Sequence, residues 1–435
     1  MKNKYFIIIS VIFILTTLIF GNVKKEKKVV LKNGLTLCVI QDPDSPVIAI
    51  HILFKNRSFN EGKDMSGMVD LIHRMFVTEN VRKKLLKIGA EIQTNDIMFL
   101  PFDDYYTTNE FSFVRFKTLN EFYDEGLKLL ANIITHPNLS RENFNMALKK
   151  MKRAQMFYSK KPQKIGMQKF FQLISRNSYL SFPIYGNRES LNNVRYEKLT
   201  PFYKKYFSPE NTIMTIYTST PIEKIECTVK KYFETWGKAG NTPTKFIPAK
   251  IDEKVYGKEV IVKSSAPGIG FICGGYDVKV KEKDKYPLTI LMSIFSDNYS
   301  FLLREKYGLA YSIGANFTTK NCGKDGIFLS YIITEKKNIP KVIKITKEFV
   351  KEFETQKMSE KELEIAKNKL IGKLLRRFIP SLNKTYFMGL NIFCGKECYN
   401  FLARVNKLKK ITLKDVIEYR KKYFSHKKFN YVIVN

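Results

Sequence analysis

Two stretches of this chain read alike: YKKYFSPENTIMTIYT at residues 203–218 and RKKYFSHKKFNYVIVN at residues 420–435. Each reads as the close of a helix, a turn, and then an apolar run with the composition of a β-strand. The shared KKYFS begins at Lys204 and again at Lys421, an offset of 217 residues (421 − 204). That period is far longer than a solenoid repeat and marks a duplicated domain.

Working outward, the two halves keep the same order. The first opens with VVLKNGLTLCVI (29–40) and VIAIHILFK (47–55), the second with EVIVKS (259–264) and GIGFICGGY (268–276). These are strand-like, and helical stretches follow in each half, including long amphipathic ones at 141–156 and 359–378. Between the halves, GKAGNTPTKFIPAK (237–250) is rich in Gly, Pro and Lys and is the natural linker. The predicted organisation is an N-terminal domain at 27–236, a linker at 237–251 and a C-terminal domain at 252–435. The fold class is α+β: two homologous domains, each a mainly antiparallel sheet with helices packed on one face. A length of 435 residues suits two cores better than one.

The first residues differ from the rest. MKNKYFIIISVIFILTTLIFGN (1–22) carries Lys2 and Lys4, then an uncharged, mainly apolar run from Tyr5 to Phe20, then Gly21. This is the layout of an export signal, with cleavage expected near Gly21. An uncleaved anchor is the alternative, and KKEKK at 24–28 speaks for it, because positive charge after the apolar run resists translocation. Either way the mature protein is expected outside the cytoplasm, in the periplasm or cell envelope or secreted, touching membrane only through an uncleaved signal.

The net charge of +34 would suit nucleic acid, anionic lipid or acidic peptides. Lysines are spread over the whole chain, however, and no basic stripe interleaved with aromatics stands out, so nucleic acid is not an expected partner. The six cysteines are Cys38, Cys227, Cys273, Cys322, Cys394 and Cys398. Export permits disulfides. Cys38 and Cys273 sit in apolar runs and read as plain buried hydrophobes, while Cys394 and Cys398 are close enough in sequence to pair.

Against this background the sequence resembles the insulinase and mitochondrial-processing-peptidase family, the inverzincins. The resemblance runs over essentially the whole mature chain. It is carried by LKNGLTLCVIQDPDSPVIAIHILFKNRSFNEG (31–62), FPIYGNRESLNNV (182–194), YFSPENT (206–212) and LLREKYGLAYSIGANF (302–317), in this order. Active members carry H-x-x-E-H on a helix, two His binding zinc and the Glu serving as base. A further Glu from a downstream helix completes their metal site. The resemblance implies two domains forming half of a clam-like chamber for extended peptides.

The metal motif does not survive here. SGMVDLIHRMF (66–76) occupies its place. Asp70 stands where the first His belongs, His73 in place of the Glu, and Arg74 in place of the second His. At helical spacing these three fall on one face. An oxygen of Asp70 can ligate a metal, but with His73 at the base position no carboxylate remains to take a proton from water. Arg74 cannot ligate and would set a permanent charge beside a dication. The downstream Glu is missing too, since no Asp or Glu occurs between Glu142 and Glu189. The four His (His51, His73, His136, His426) offer no pair at ligand spacing. The expected alternative is structural: Asp70 and Arg74 pair at i and i+4, and Met68, Leu71, Ile72, Met75 and Phe76 form a buried stripe.

The second half keeps its own motif. REKYGLAY (304–311) matches the family's Arg and Tyr, seven positions apart, with Gly308 in the turn between them. In relatives these side chains reach the zinc site of the opposing half, hold the substrate backbone and stabilise the oxyanion, a task that suits fixed donors. The resemblance therefore implies a non-catalytic subunit. Arg304 and Tyr311 would act in trans, with no cofactor in this chain, zinc in a homologous partner subunit, and extended peptides as substrates. A peptide-binding scaffold without catalytic role, and a stand-alone peptidase with an unusual metal, are the rival readings.

Overall fold

The computed structural model describes residues 24–94, 108–175, 178–238, 255–398 and 401–435. The export segment at 1–22 and most of the linker at 237–251 lie outside them.

The duplicated ends fold alike. Helix Leu199–Tyr206 leads through a short 3-10 turn at Pro209–Asn211 into β6 (Thr212–Thr218). Helix Leu413–Tyr423 leads through His426–Lys428 into β11 (Asn430–Val434). Both strands become central. The first sheet holds β1 (Lys25–Val30), β2 (Thr36–Gln41), β3 (Val47–Phe54), β4 (Glu91–Gln93), β5 (Ser112–Leu119) and β6, ordered β1-β2-β6-β3-β5-β4. The second holds β7 (Glu259–Val262), β8 (Ile269–Lys279), β9 (Ser312–Lys320), β10 (Asp325–Glu335) and β11, ordered β7-β11-β8-β10-β9. β6 pairs parallel with β2 and antiparallel with β3, and β11 does the same with β7 and β8. Among the described residues the second sheet therefore repeats the first without a counterpart of β1, and both are mainly antiparallel. The long amphipathic stretches are helices Arg141–Tyr158 and Glu360–Phe378.

Helices on one face of each sheet was the expectation, and both faces prove to be covered. In β3 the even positions Ile48, Ile50, Ile52 and Phe54 enter the first domain's own core. The odd position Leu53 meets Tyr386 and Phe387 of helix Ser381–Phe393, which comes from the second half. The exchange is reciprocal. Helix Pro162–Ser175 of the first half sets Phe170 and Ile174 against Phe271, Val432 and Val434 of the second sheet. Its Gly166 is needed for this approach, because a Cβ there would lie 2.4 Å from the Phe271 ring. Each such buried side chain contributes about 1.5–3 kcal/mol, so the swapped helices tie the halves together. Two-sided burial explains why these strands read as continuous apolar runs rather than alternating ones.

The cysteines require two corrections. Cys38 is no plain hydrophobe but is bonded to Cys398, and Cys394 pairs with Cys322 rather than with Cys398. Cys38 lies on β2 and Cys398 follows the swapped helix Ser381–Phe393, so this bridge also joins the halves. Helix packing brings these distant residues together, which sequence spacing cannot show. Cys273 is buried and free, as its apolar run implied, and Cys227 is free and exposed.

Candidate functional site

The stretch at the metal position folds as helix Met68–Met75. Gly67 precedes it at φ +97, and a Cβ at Gly67 would lie 2.8 Å from the Gly186 backbone, so the loop 182–187 closes directly on the helix start. With no side chain at this cap, the exposed N–H groups need another acceptor. Glu61 supplies it: the Gly67 N–H donates to Oε2 at 3.1 Å and the Val69 N–H to Oε1 at 2.7 Å. A carboxylate at the positive end of a helix is favourable. Burial nevertheless pushes its pKa up to about 7, against the pull of the Val69 N–H, Arg57 and the Gly67 N–H. The sequence reading missed Glu61. Its signal was faint: an acid just ahead of a helix whose own cap is a glycine.

Asp70 and Arg74 pair as their i, i+4 spacing implied. The Arg74 Nε donates to Asp70 Oδ2 at 2.6 Å. Asp70 is fully buried, and its Oδ1 has no hydrogen-bond partner among the described residues. Arg74 is the one residue of the helix that is not buried, and it donates no other hydrogen bond among the described residues. All five residues of the expected stripe are buried, and Val69 joins them.

His73 departs from the expected common face. It turns inward, among the rings of Phe54, Phe76 and Phe207 at 5.2–5.8 Å. Its Nδ1 lies 2.5 Å from the Thr94 carbonyl, which only accepts, so Nδ1 carries the proton. Nε2 faces Ser112 Oγ at 3.0 Å. Burial, assisted by the Arg57 charge and opposed by the Thr94 hydrogen bond, lowers the pKa to about 3. This is a neutral core histidine, and its ring is spent on packing.

Helix Arg141–Tyr158 packs beside this helix and is where the downstream Glu would fall. It presents Met151, Ala154 and Gln155 to a cavity of about 940 Å³ that also contains Asp70 and Arg74. Asp70 is the sole carboxylate of the cavity wall among the described residues. Nor do the described residues assemble another metal set. The one cluster of three donors is Glu26, Cys38 and Cys398, and its two sulfurs are bonded to each other. The residues present do not fit a catalytic zinc, which needs three ligands and a base.

Arg304 and Tyr311 lie elsewhere and do not line this cavity. Arg304 sits in the π-helical turn Phe301–Lys306 that extends helix Lys285–Ser300. Gly308 at φ +62 makes the turn, and Tyr311 precedes β9 with its N–H donating to the Ile333 carbonyl at 2.9 Å. Both side chains are about two-thirds exposed. Among the described residues the Arg304 guanidinium pairs only with Glu305, at 3.8 Å. The Tyr311 hydroxyl donates to Glu335 Oε1 at 2.7 Å, and this carboxylate holds the phenol pKa above its usual value.

Comparison with known proteins agrees with this geometry. Residues 193–370 match the family described as the peptidase M16 inactive domain. An uncharacterized zinc protease of Rickettsia felis is 24% identical over 352 residues, covering 79% of this chain and 82% of its own. A protein of Helicobacter pylori named non-peptidase homolog YmxG is 24% identical over 407 residues, 90% of this chain and 89% of its own. The solved structure of a peptidase M16 inactive domain from Pseudomonas fluorescens superimposes with a TM-score of 0.82 at 14% identity, covering 94% of this chain and 98% of that one. The duplicated fold and these likenesses together make the chain similar to the M16, or insulinase-type, peptidases, and it lacks their H-x-x-E-H motif.

Proposed function

We propose that this chain is the non-catalytic, substrate-binding subunit of an exported heterodimeric insulinase-type zinc peptidase. The zinc belongs to a homologous partner subunit, and Arg304 and Tyr311 act there in trans. One observation carries the reading. Asp70 and Arg74 form an ion pair at the motif positions, whereas Arg304 and Tyr311 stay exposed on the turn that closes helix Lys285–Ser300.

The chemistry is consistent with that role. An exposed guanidinium held only by a surface ion pair with Glu305 among the described residues, and a phenol kept protonated, are donors suited to charge that develops on a scissile carbonyl oxygen. The Tyr311 hydroxyl donates a hydrogen bond to Glu335 in the free chain and turns toward the substrate oxygen in the assembled pair. Two disulfides support export, because such bonds persist in oxidising compartments. The high positive charge favours acidic peptides over basic ones.

Purification from the native source tests the pairing. The expected result is a complex of this chain with an H-x-x-E-H homologue at one zinc per pair, with no zinc on this chain alone. Stoichiometric zinc on the isolated chain overturns the assignment.

A further inference from the structure

The swapped helix Ser381–Phe393 is seated on the first sheet over a histidine. His51 is an odd position of β3, two residues before Leu53, and is fully buried. Its ring lies 5.1 Å from that of Phe113 on β5 and 5.3 Å, edge-on, from that of Tyr386 on the helix. Gly389 passes so close that a Cβ there would lie 3.1 Å from Nδ1. Neither ring nitrogen has a hydrogen-bond partner among the described residues. Two hydrogen bonds complete the seat. Thr215 Oγ1 on β6 donates to the Thr385 carbonyl at 2.8 Å, and a terminal nitrogen of Arg115 on β5 to Asn383 Oδ1 at 2.6 Å.

The charged groups of the packed elements do not welcome an imidazolium here. β3 itself holds no other charged residue. Arg115 stands directly across from His51 in the β3–β5 pair, and its charge disfavours a second cation. Lys117, next on the same face of β5, pairs with Glu91 at 3.0 Å. β6 carries no Asp, Glu, Lys or Arg; its Tyr217 hydroxyl donates to Asp42, which also holds Lys24 at 2.8 Å. The one charged residue of the helix is Lys384, whose ammonium donates to the Tyr217 hydroxyl at 2.9 Å. Burial, reinforced by Arg115, holds the His51 pKa well below 6.5. The ring is neutral under the seated helix and readily protonated once it meets water.

We infer that His51 is an acid-operated latch between the two halves: protonation of its ring releases helix Ser381–Phe393 from the first sheet, while the Cys38–Cys398 bridge keeps the released helix tethered. The direction is fixed by the ring. The opened state binds a proton that the seated state refuses, so opening gains about tenfold for each pH unit below 6.5 until the seated ring itself titrates. Acidification thus loosens the halves without separating them. The latch needs no zinc and no partner, and it is independent of the role proposed for Arg304 and Tyr311.

Hydrogen exchange of the full, disulfide-bonded chain, read by mass spectrometry and corrected for intrinsic exchange, tests the inference. Opening of residues 381–393 should rise about 100-fold between about pH 6.5 and 4.5. His51→Leu should abolish that rise. His51→Gln, polar but not titrating, should abolish it too and guards against a packing defect in the Leu variant. His73→Phe removes the other buried ring of the first domain and should leave the rise in place, which separates the latch from global acid unfolding. An NMR titration of the wild-type His51 ring needs no substitution: the imidazole should stay neutral wherever the helix is protected. Equal protection of residues 381–393 at both pH values overturns the inference. So does a rise that persists in both His51 variants, one that vanishes in His73→Phe, or an imidazolium seen under a fully protected helix.

Discussion

Arg74 donates from Nε to Asp70 Oδ2 at 2.6 Å, and the family resemblance sets these two residues at the positions where active relatives hold zinc with histidines. A cation built into the chain thus neutralises a carboxylate at the place the resemblance assigns to the family's metal. Asp70 is fully buried, so the pair is a structural commitment and not a surface ornament.

Removing one partner should therefore be costly. Arg74→Ala leaves a buried carboxylate with no counter-charge, for which about 3 kcal/mol of lost stability is the expected scale. Replacing both, as Asp70→Asn with Arg74→Met, should recover most of it. Urea unfolding of the three proteins measures this. Equal stability of Arg74→Ala and wild type would mean that the pair does not support the helix.

The two titrating groups at this helix should show opposed pH dependence. Glu61 has its pKa raised from 4.5 to about 7, so the folded state binds more protons than the unfolded one across that window. Its contribution falls as pH rises from 4.5 to 7. His73 has its pKa lowered from 6.5 to about 3, so there the unfolded state binds more protons. Its contribution falls as pH drops from 6.5 to 3. Between about pH 4.5 and 6.5 the two slopes, each up to about 1.4 kcal/mol per pH unit, oppose one another. His73→Phe should then lose stability as pH rises from 5 to 6.5, and Glu61→Gln should gain it. Parallel slopes in the two variants would refute the assignment.

The interlocked halves make a steric prediction. Gly166→Ala forces a methyl group into the Phe271 ring and should destabilise the protein by about 1–3 kcal/mol. Thermal unfolding should show one cooperative transition that shifts as a whole. If one half melts early while the other is unaffected, the swapped helices do not couple the domains.

Peptide mapping without reduction checks the covalent ties. Fragments joining Cys38 to Cys398 and Cys322 to Cys394 are expected, Cys227 should alkylate in the native protein, and Cys273 only after unfolding. A Cys394–Cys398 fragment would contradict the fold around helix Ser381–Phe393.

Much of this architecture was legible in the chain itself. The KKYFS repeat fixed the duplication because a helix, turn and strand recur at one offset, and Asp70 and Arg74 declared their pairing through helical spacing. What could not be read were relationships between remote segments. His73 looked like a member of the polar face, yet the aromatic pocket of Phe54 and Phe207 takes it inward. Cys38 looked like a core hydrophobe because its partner lies 360 residues away. Glu61 was hidden because a helix cap supplied from a preceding turn has no fixed spacing. The exchanged helices Pro162–Ser175 and Ser381–Phe393 carry apolar faces in sequence, but periodicity does not say which sheet receives them.

The central claim is that Arg304 and Tyr311 work at a zinc held by another chain. Peptide cleavage by this chain reconstituted with a zinc-bearing H-x-x-E-H homologue from the same source tests it most directly. Neither chain alone should cleave and the pair should, with Tyr311→Phe and Arg304→Ala each lowering kcat by about 100-fold at unchanged zinc content. A zinc-bearing chain that cleaves equally well alone, or a pair whose rate ignores both substitutions, would contradict the account.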